Sequence, residues 1–177
     1  EKGPLKSKGN YVNGLAEGKY TFYFASGAVD EITNYVNDSM EGPYQAFYES
    51  GAIKQNGIYK DGLSQGEVLT FYDSGSEGEK GPLKSKGNYV NGLAEGKWTF
   101  YYESGVIKQI DSYVNDELNG EYEIYYDSGS GGEKGPLKSK GNYVNGLVQG
   151  ETIHYYDSGS AERLGNIKEI TSMVDGK

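Results

Sequence analysis

The strongest constraint on the fold is that the sequence repeats itself. A 17-residue block, YVNGLAEGKYTFYFASG in its first copy, starts with tyrosine, ends in Ser-Gly and recurs five more times in the 177 residues. Successive copies start 24 residues apart, or 30 where a six-residue insertion follows. Because repeat arrays bury surface by stacking like units, residues 1–177 are predicted to form one array. The copies start at Tyr11, Tyr35, Tyr59, Tyr89, Tyr113 and Tyr143, and a partial seventh starts at Met173.

The pattern within one copy predicts a β-hairpin. Residues 97–102, KWTFYY, alternate with period two and are rich in aromatic side chains, which is typical of a strand. The run before each block, such as residues 106–114, predicts a second strand, and Asn-Gly-Leu-Ala-Glu-Gly predicts the loop between them. We therefore expect an all-β fold, an elongated single-layer antiparallel meander of six full hairpins and a trailing strand, or about 13 strands.

Strand alternation places most of the rings on one face. If the strands flank the loop symmetrically, Tyr89 lies opposite Trp98, and a one-residue slip would mix the two faces. The partner-binding residues predicted on this face are Tyr20, Phe22, Tyr44, Tyr89, Trp98, Phe100, Tyr113 and Tyr122. Glycines recur opposite the rings, and a glycine there lets a ring lie over the neighbouring backbone. These glycines are Gly9, Gly57, Gly87 and Gly141.

A single layer raises the question of what covers this face. Six units with about three large side chains each would leave on the order of 1,000 Å² of apolar surface, more than a monomer usually exposes. One interpretation is a groove for a binding partner. The other is that the tyrosines stack along the twisted sheet as the thin core of the protein itself.

The composition excludes several kinds of chemistry. The chain has no cysteine and one histidine, which removes thiolate nucleophiles, zinc fingers and multi-histidine metal centres. Asp-Ser-Gly occurs at Asp73, Asp127 and Asp157, but the one base for a nucleophilic serine is His154, present in a single copy. A turn explains every copy, so the chain is predicted to have no catalytic residues and not to be an enzyme.

Charge and hydropathy limit the partners. The 26 Asp and Glu residues outnumber the 17 Lys and Arg residues, which argues against binding to nucleic acid. No apolar run approaches the ~20 residues that a membrane-spanning helix needs, so membrane insertion is not expected. No cofactor is predicted; a weak alternative is calcium held by the spaced acids Asp73, Glu77 and Glu79.

The segment GNYVNGLAEGKWTFYYESG, residues 87–105, resembles the MORN repeat. It is most similar to the bacterial variant that reads G-x-Y-x-N-G-x-x-x-G-x-W-x-x-Y-Y-x-x-G. The tryptophan of that pattern occurs only at Trp98, and Tyr, Val or Thr replaces it in the other copies. The resemblance implies an elongated single-sheet array of hairpins that acts as an interaction scaffold.

Three hypotheses for function follow from the repeat and the resemblance. The first is a non-catalytic scaffold that binds a protein through the aromatic side of the sheet. The second is a self-associating bacterial surface or extracellular fibre protein, and the third is an antitoxin-like binder of a toxin enzyme. A bacterial cell surface or secreted location is favoured over the cytoplasm.

The copies are close to identical over long stretches. Residues 1–19 and 79–97 are the same, and residues 133–147 repeat the first fifteen. These offsets are whole numbers of units, which indicates recent duplication or deliberate construction, because such an array can gain or lose whole hairpins. The start at Glu1 and Lys2 predicts a processed or excised piece.

Overall fold

Seventeen β-strands and no helix make up residues 4–129, 134–159 and 165–174, which the computed structural model describes. The strands follow one another as an antiparallel meander, which confirms the predicted all-β class. No helix long and apolar enough to span a membrane occurs in these ranges. The first eight strands are β1 (Ser7–Val12), β2 (Leu15–Tyr23), β3 (Val29–Val36), β4 (Ser39–Met40), β5 (Gly42–Phe47), β6 (Ile53–Lys60), β7 (Leu63–Ser64) and β8 (Gly66–Phe71). The others are β9 (Leu83–Val90), β10 (Leu93–Tyr101), β11 (Ile107–Val114), β12 (Glu117–Leu118), β13 (Gly120–Tyr125), β14 (Leu137–Val144), β15 (Leu147–Val148), β16 (Gly150–Tyr155) and β17 (Ile167–Met173).

The chain divides into two compact units. The first unit comprises residues 1–83 and 89–92, and the second comprises residues 84–88 and 93–177. Strands β1–β8 therefore lie in the first unit and β10–β17 in the second, while β9 contributes residues to both.

Four more strands are present than the 13 expected, because a bulge divides one strand of four hairpins. In the hairpin that starts at Tyr35, β4 ends at Met40 and β5 starts at Gly42. A φ of 84° at Gly42 permits this bulge, since that region of backbone space strongly favours glycine. The equivalent glycines with positive φ are Gly66, Gly120 and Gly150.

The hairpin turns are shorter than the six-residue loop expected from the sequence. In the second copy only Asn37 and Asp38 form the turn, and Val36 pairs directly with Ser39. The two turn residues have φ values of 49° and 68°, as a type I′ turn requires. The Leu-Ala part of the expected loop therefore belongs to the returning strand.

The predicted register is also wrong, because the turn is shorter than expected. An arrangement with Tyr89 opposite Trp98 would place Tyr35 opposite Tyr44, whereas Tyr35 pairs with Met40. Beyond the bulge, Glu31 pairs with Ala46 rather than with the residue two positions earlier, so the bulge adds two residues to the returning strand. Because a shift of two residues preserves the alternation of side chains, the rings remain on one face.

The first insertion, residues 76–81, packs against the preceding hairpin. Ile53 forms a parallel bridge with Lys80, and its N–H donates to the carbonyl oxygen of Glu79 at 2.9 Å. The Lys80 Nζ lies 5.1 Å from the ring centroid of Phe71, which is buried. The insertion thus covers a ring with a lysine stem and a cation–π contact.

A lysine takes the same place in the second unit. The Lys134 Nζ lies 5.1 Å from the ring centroid of Tyr125 and 3.2 Å from Oε2 of Glu123. The ion pair is half-exposed, so its contribution to stability is small, on the order of 0.5 kcal/mol. Most of the other two insertions and the turn of the seventh copy, residues 130–133, 160–164 and 175–177, lie outside the described residues.

Candidate interaction face

One side of the sheet, the aromatic face, carries a row of residues that crosses the middle of the strands in each unit. Along this central row, rings alternate with small or polar residues, so each ring has space beside it. The row of the first unit is Gly9, Tyr20, Thr33, Tyr44, Gly57 and Val68. The row of the second unit is Gly87, Trp98, Asp111, Tyr122, Gly141 and Thr152.

The rings of the central row lie flat over glycines. The Tyr44 ring covers Gly57, and the Trp98 ring covers Gly87, so that a methyl group at either glycine would overlap the ring. This confirms the predicted role of the glycines. In the same way Tyr20 covers Gly9 and Tyr122 covers Gly141.

Four of the eight predicted partner-binding residues consequently belong to the interior. At most 9% of each of these side chains is exposed; they are Tyr20, Tyr44, Trp98 and Tyr122. The sheet therefore builds a thin core from its own rings, as the second interpretation of the sequence proposed. A partner that binds this side would meet other residues first.

The remaining four predicted residues are half-buried; they are Phe22, Tyr89, Phe100 and Tyr113. Phe22, Phe100 and Tyr113 pack against interior rings. The centroid of the Phe100 ring lies 6.4 Å from that of Trp98, with 29° between the two planes. Tyr113 meets the same indole nearly edge-on, at 5.9 Å and 65°. The outer rings are thus held in place by the inner ones.

Hydrogen bonds orient the buried phenols. The Tyr20 hydroxyl donates to the carbonyl oxygen of Asn10 at 2.7 Å. The Tyr44 hydroxyl accepts a hydrogen bond from Nε2 of Gln55. Burial raises the pKa of Tyr44 to about 12, so its phenol is neutral at physiological pH.

Asp111 is the residue of this face that sequence reasoning missed. Only 4% of it is exposed, although it carries a carboxyl group beside Trp98. Nε2 of Gln109 donates to both carboxylate oxygens, at 2.9 and 2.8 Å. Burial raises the pKa of the Asp111 carboxyl, and the bonds from Gln109 oppose that rise.

A comparison within the sequence could have found Asp111. Residues 78 positions apart occupy equivalent places, so Thr33 corresponds to Asp111 and Glu31 corresponds to Gln109. The acid is therefore the first residue of the pair in the first unit and the second residue of the pair in the second unit. Burial raises the pKa of Glu31, and neighbouring Asp30 raises it further.

The hairpin turns of neighbouring copies are joined by an acid or amide that sequence reasoning also missed. Oε2 of Glu17 accepts a hydrogen bond from the N–H of Asn37 at 3.0 Å. In the second unit Glu95 and Asn115 make the same contact, also at 3.0 Å. The signal was the Glu or Gln that precedes the bulge glycine in several copies.

A second set of exposed apolar residues lies on the opposite face, beside the turns. Val12 and Leu15, for example, pair across the first turn and are 48% and 39% exposed. We name these residues the turn-edge stripe. It comprises Val12, Leu15, Val36, Leu63 and Val90 in the first unit, and Leu93, Val114, Val144 and Leu147 in the second. The stripe is a second surface with apolar character, which the sequence analysis did not predict.

The Asp-Ser-Gly segments are turns. Oδ1 of Asp73 accepts hydrogen bonds from the Ser50 hydroxyl at 2.7 Å and from the Gly75 N–H at 2.8 Å. These bonds lower the pKa of Asp73. The bond from the glycine N–H to the aspartate recurs in the second Asp-Ser-Gly turn at 2.9 Å and in the third at 2.8 Å. His154 lies on the aromatic face, where it pairs with Ser139.

The structure gives the calcium alternative no additional support. Within residues 4–129, 134–159 and 165–174, no group of three or more His, Cys, Asp or Glu side chains is arranged to hold a metal ion. The carbon atoms of the Glu77 side chain instead lie beside Gly51. Calcium at Asp73, Glu77 and Glu79 stays a prediction.

Fold and face together define a repeat protein built from β-hairpins. The family profile of the MORN repeat variant matches three segments, residues 16–37, 40–61 and 94–115. These three segments are therefore similar to the MORN repeat variant, in agreement with the resemblance of residues 87–105. No curated protein matches the chain. MORN repeats in general form non-catalytic scaffolds, commonly in protein or membrane-lipid interactions.

Proposed function

We propose that the chain is a non-catalytic scaffold that binds a protein partner through the aromatic face. The observation that supports this most is the two-level arrangement of the rings. Inner rings such as Trp98 are buried against glycines, and outer rings such as Phe100 rest on them half-exposed. Outer rings that are already ordered lose little conformational entropy on binding, which favours them as contact residues.

Phenylalanine and tyrosine suit this role because a rigid ring offers a large contact area with few rotatable bonds. The chain has a net charge of −9, which disfavours anionic lipid and nucleic acid surfaces as partners. A self-associating fibre or a toxin-binding antitoxin would be special cases in which the partner is another copy or an enzyme.

The test compares two matched double variants. Phe22→Ser with Phe100→Ser removes one outer ring from each unit, at positions 78 residues apart. Val36→Ser with Val114→Ser removes one side chain of the turn-edge stripe from each unit, again 78 residues apart. Proteins retained by the immobilised wild-type chain are identified by mass spectrometry, purified, and tested for binding to each variant by calorimetry.

The proposal predicts at least tenfold weaker binding for the phenylalanine variant and unchanged binding for the valine variant. The reverse order would transfer the interaction to the turn-edge stripe and contradict the proposal. Light scattering across concentration identifies self-association: a mass that rises with concentration, and does so less in the phenylalanine variant, makes the partner a second copy.

A further inference from the structure

Asp111 is a buried acid in the central row of the second unit. Its described hydrogen bonds both come from the neutral amide of Gln109, and no described residue forms an ion pair with it. A carboxylate withdrawn from water without a cation is costly, because the lost hydration is only partly replaced. Such a group is expected to be kept neutral or to be paired with a cation from elsewhere.

The hydrogen bonds favour the ionised form. One amide nitrogen donates to both oxygens of Asp111, so both oxygens act as acceptors. An ionised carboxylate has about four acceptor positions, and Gln109 leaves some of them unused. The carboxylate therefore has acceptor positions left for further donors.

The carboxylate is not required by the fold of the repeat. Thr33 occupies the equivalent place between Tyr20 and Tyr44, with the same pairing to the neighbouring strand. A neutral residue of similar size thus satisfies the packing between two rings. The acid at position 111 is consequently free to serve a binding role rather than a structural one.

The surface beside Asp111 is concave. A depression of about 280 Å³ is lined by Phe100, Lys108, Gln109 and Asp111. The lining residue Phe100 is half-buried, and 29° separates the plane of its ring from that of Trp98. A planar group in the depression would lie beside both Phe100 and Asp111.

We infer that this depression binds the guanidinium group of an arginine side chain on the partner protein. Guanidinium is planar, stacks on aromatic faces and donates two parallel hydrogen bonds to a carboxylate. It is also less strongly hydrated than an ammonium group, so it enters a half-buried site at lower cost. The inference rests on the proposed function, because the arginine belongs to the protein that the aromatic face binds.

Lys108 does not fill the site from within. Its Nζ lies 5.8 Å from the ring centroid of Tyr102, a contact that Lys54 makes with Tyr48 at the same distance in the first unit. Lys108 therefore takes part in a repeated cation–π contact. Lys108 is nevertheless one of the lining residues, and its positive charge weakens the attraction for an incoming cation.

The test uses Trp98, the one tryptophan of the chain, as a reporter. The full chain is titrated with N-acetyl-arginine amide, and with N-acetyl-citrulline amide as a neutral probe of almost the same shape. Trp98 fluorescence and the amide resonances of Gln109 and Asp111 are followed. The arginine probe is expected to give a saturable response, and the citrulline probe a response at least tenfold weaker.

Asp111→Thr is the matched variant, because Thr33 shows that threonine is accommodated at the equivalent position. It is expected to bind the arginine probe at least tenfold more weakly, while Lys108→Gln binds it more tightly. Unchanged binding by Asp111→Thr, or equal binding of the citrulline probe, would overturn the inference. Tighter binding of N-acetyl-lysine amide than of the arginine probe would overturn the assignment of guanidinium.

A transplant tests the site independently of whether Asp111→Thr folds. Glu31→Gln with Thr33→Asp copies the acid and amide of the second unit into the first, next to Phe22. The double variant is expected to gain a second set of shifted resonances, at residues 31–33, with the arginine probe. A folded transplant without that response would contradict the inference.

The outcomes separate this inference from the proposed function. If the arginine probe does not bind but the phenylalanine variant loses its partner, the guanidinium site is wrong and the scaffold proposal stands. If the probe binds at Asp111 but the phenylalanine variant keeps its partner, the guanidinium site stands and the aromatic face is not the partner surface.

Discussion

Two regions of the molecule occupy equivalent places in the repeat but differ in the charge of one buried side chain. In the first unit Thr33 lies between two tyrosines of the central row, and in the second Asp111 lies between Trp98 and Tyr122. Both residues are almost completely buried, at 2% and 4% exposure. The central row therefore requires a side chain of limited size between two rings, and it does not require a particular polarity.

The hydrogen bonds of the two regions differ as well. The Thr33 hydroxyl is buried without a hydrogen-bond partner in the described residues, whereas Asp111 has an amide two residues before it on the strand. Glu31 stands in the place of that amide in the first unit. Gln109 and Asp111 thus form a hydrogen-bonded pair, whereas Glu31 and Thr33 do not. This difference distinguishes the proposed guanidinium site of the second unit from the equivalent place in the first.

The largest effect is expected where the two regions are alike. Gly57→Val and Gly141→Val would each force a ring off the backbone, of Tyr44 and Tyr122 respectively. Each should lower the free energy of unfolding by about 3 kcal/mol, because overpacking adds to the lost burial of the ring. Urea denaturation followed by circular dichroism measures both.

Lys140→Val is the control for this pair, because it lies beside Gly141 but is exposed. It should change stability by no more than about 0.5 kcal/mol. A cost below about 1 kcal/mol for either glycine variant would show that the rings are not packed as described.

The second effect tests the exchange of acid and amide. Thr33→Asp alone places a carboxylate between two rings next to another acid, Glu31, and should cost about 2 kcal/mol at neutral pH. Adding Glu31→Gln should recover about 1 kcal/mol, because the amide can then donate to the new carboxylate as Gln109 does. A double-mutant cycle in urea measures the coupling. Strictly additive costs would contradict the pairing.

The third effect is a pH dependence confined to the second unit. Because burial raises the pKa of Asp111, ionisation weakens the folded state as pH rises from the unfolded pKa through the folded one. Asp111→Thr should therefore be more stable than the wild type at neutral pH, by about 1 kcal/mol or less after solvent screening. That advantage should shrink as the pH is lowered through the same window.

Besides Tyr122 in the central row, the charged or titratable groups near Asp111 include Lys108 on its own strand and Tyr143, whose pKa Asp111 raises. Neither should change its ionisation between neutral and acidic pH, since burial raises the pKa of Tyr143 and lysine stays protonated. Urea midpoints of both proteins at several pH values give the difference directly. An advantage of Asp111→Thr that grows towards low pH would contradict the predicted sign.

The smallest effect concerns the bonds between turns, where the two units are again alike. Glu17→Ala and Glu95→Ala each remove one exposed acceptor for a backbone N–H, of Asn37 and Asn115 respectively. Each should cost about 0.5 kcal/mol, because water replaces an exposed acceptor readily. Thermal denaturation of the two variants should give equal shifts, and a large shift in one unit only would indicate that the turns are not equivalent.

Much of the fold could be predicted from local chemistry. Alternating rings predict strands with one aromatic face, and the Asn-Gly and Asn-Asp pairs predict where the turns lie. The six-residue loop predicted there was wrong, because only those two residues form the turn. The position of Gly57 under Tyr44 follows from the absence of a side chain at a site next to a ring. The strand count and the register were wrong because the bulge at glycines such as Gly42 adds residues that no periodicity reveals.

The candidate site was harder to predict than the fold. Sequence alone could not divide the rings into buried ones such as Trp98 and half-buried ones such as Phe100, because both lie on the same face of the strand. Asp111 looked like any polar strand residue. Its significance depends on burial and on the neighbouring Gln109, and both emerge only when the strands are paired.

The central claim is that the outer rings of the aromatic face contact the partner while the inner rings form the core. Hydroxyl-radical footprinting of the chain, free and bound to its captured partner, tests it most directly. The account predicts that Phe22, Phe100 and Tyr113 are oxidised in the free chain and protected in the complex, while Val36 and Val114 are unchanged. Protection of the two valines, with the outer rings still oxidised in the complex, would contradict it.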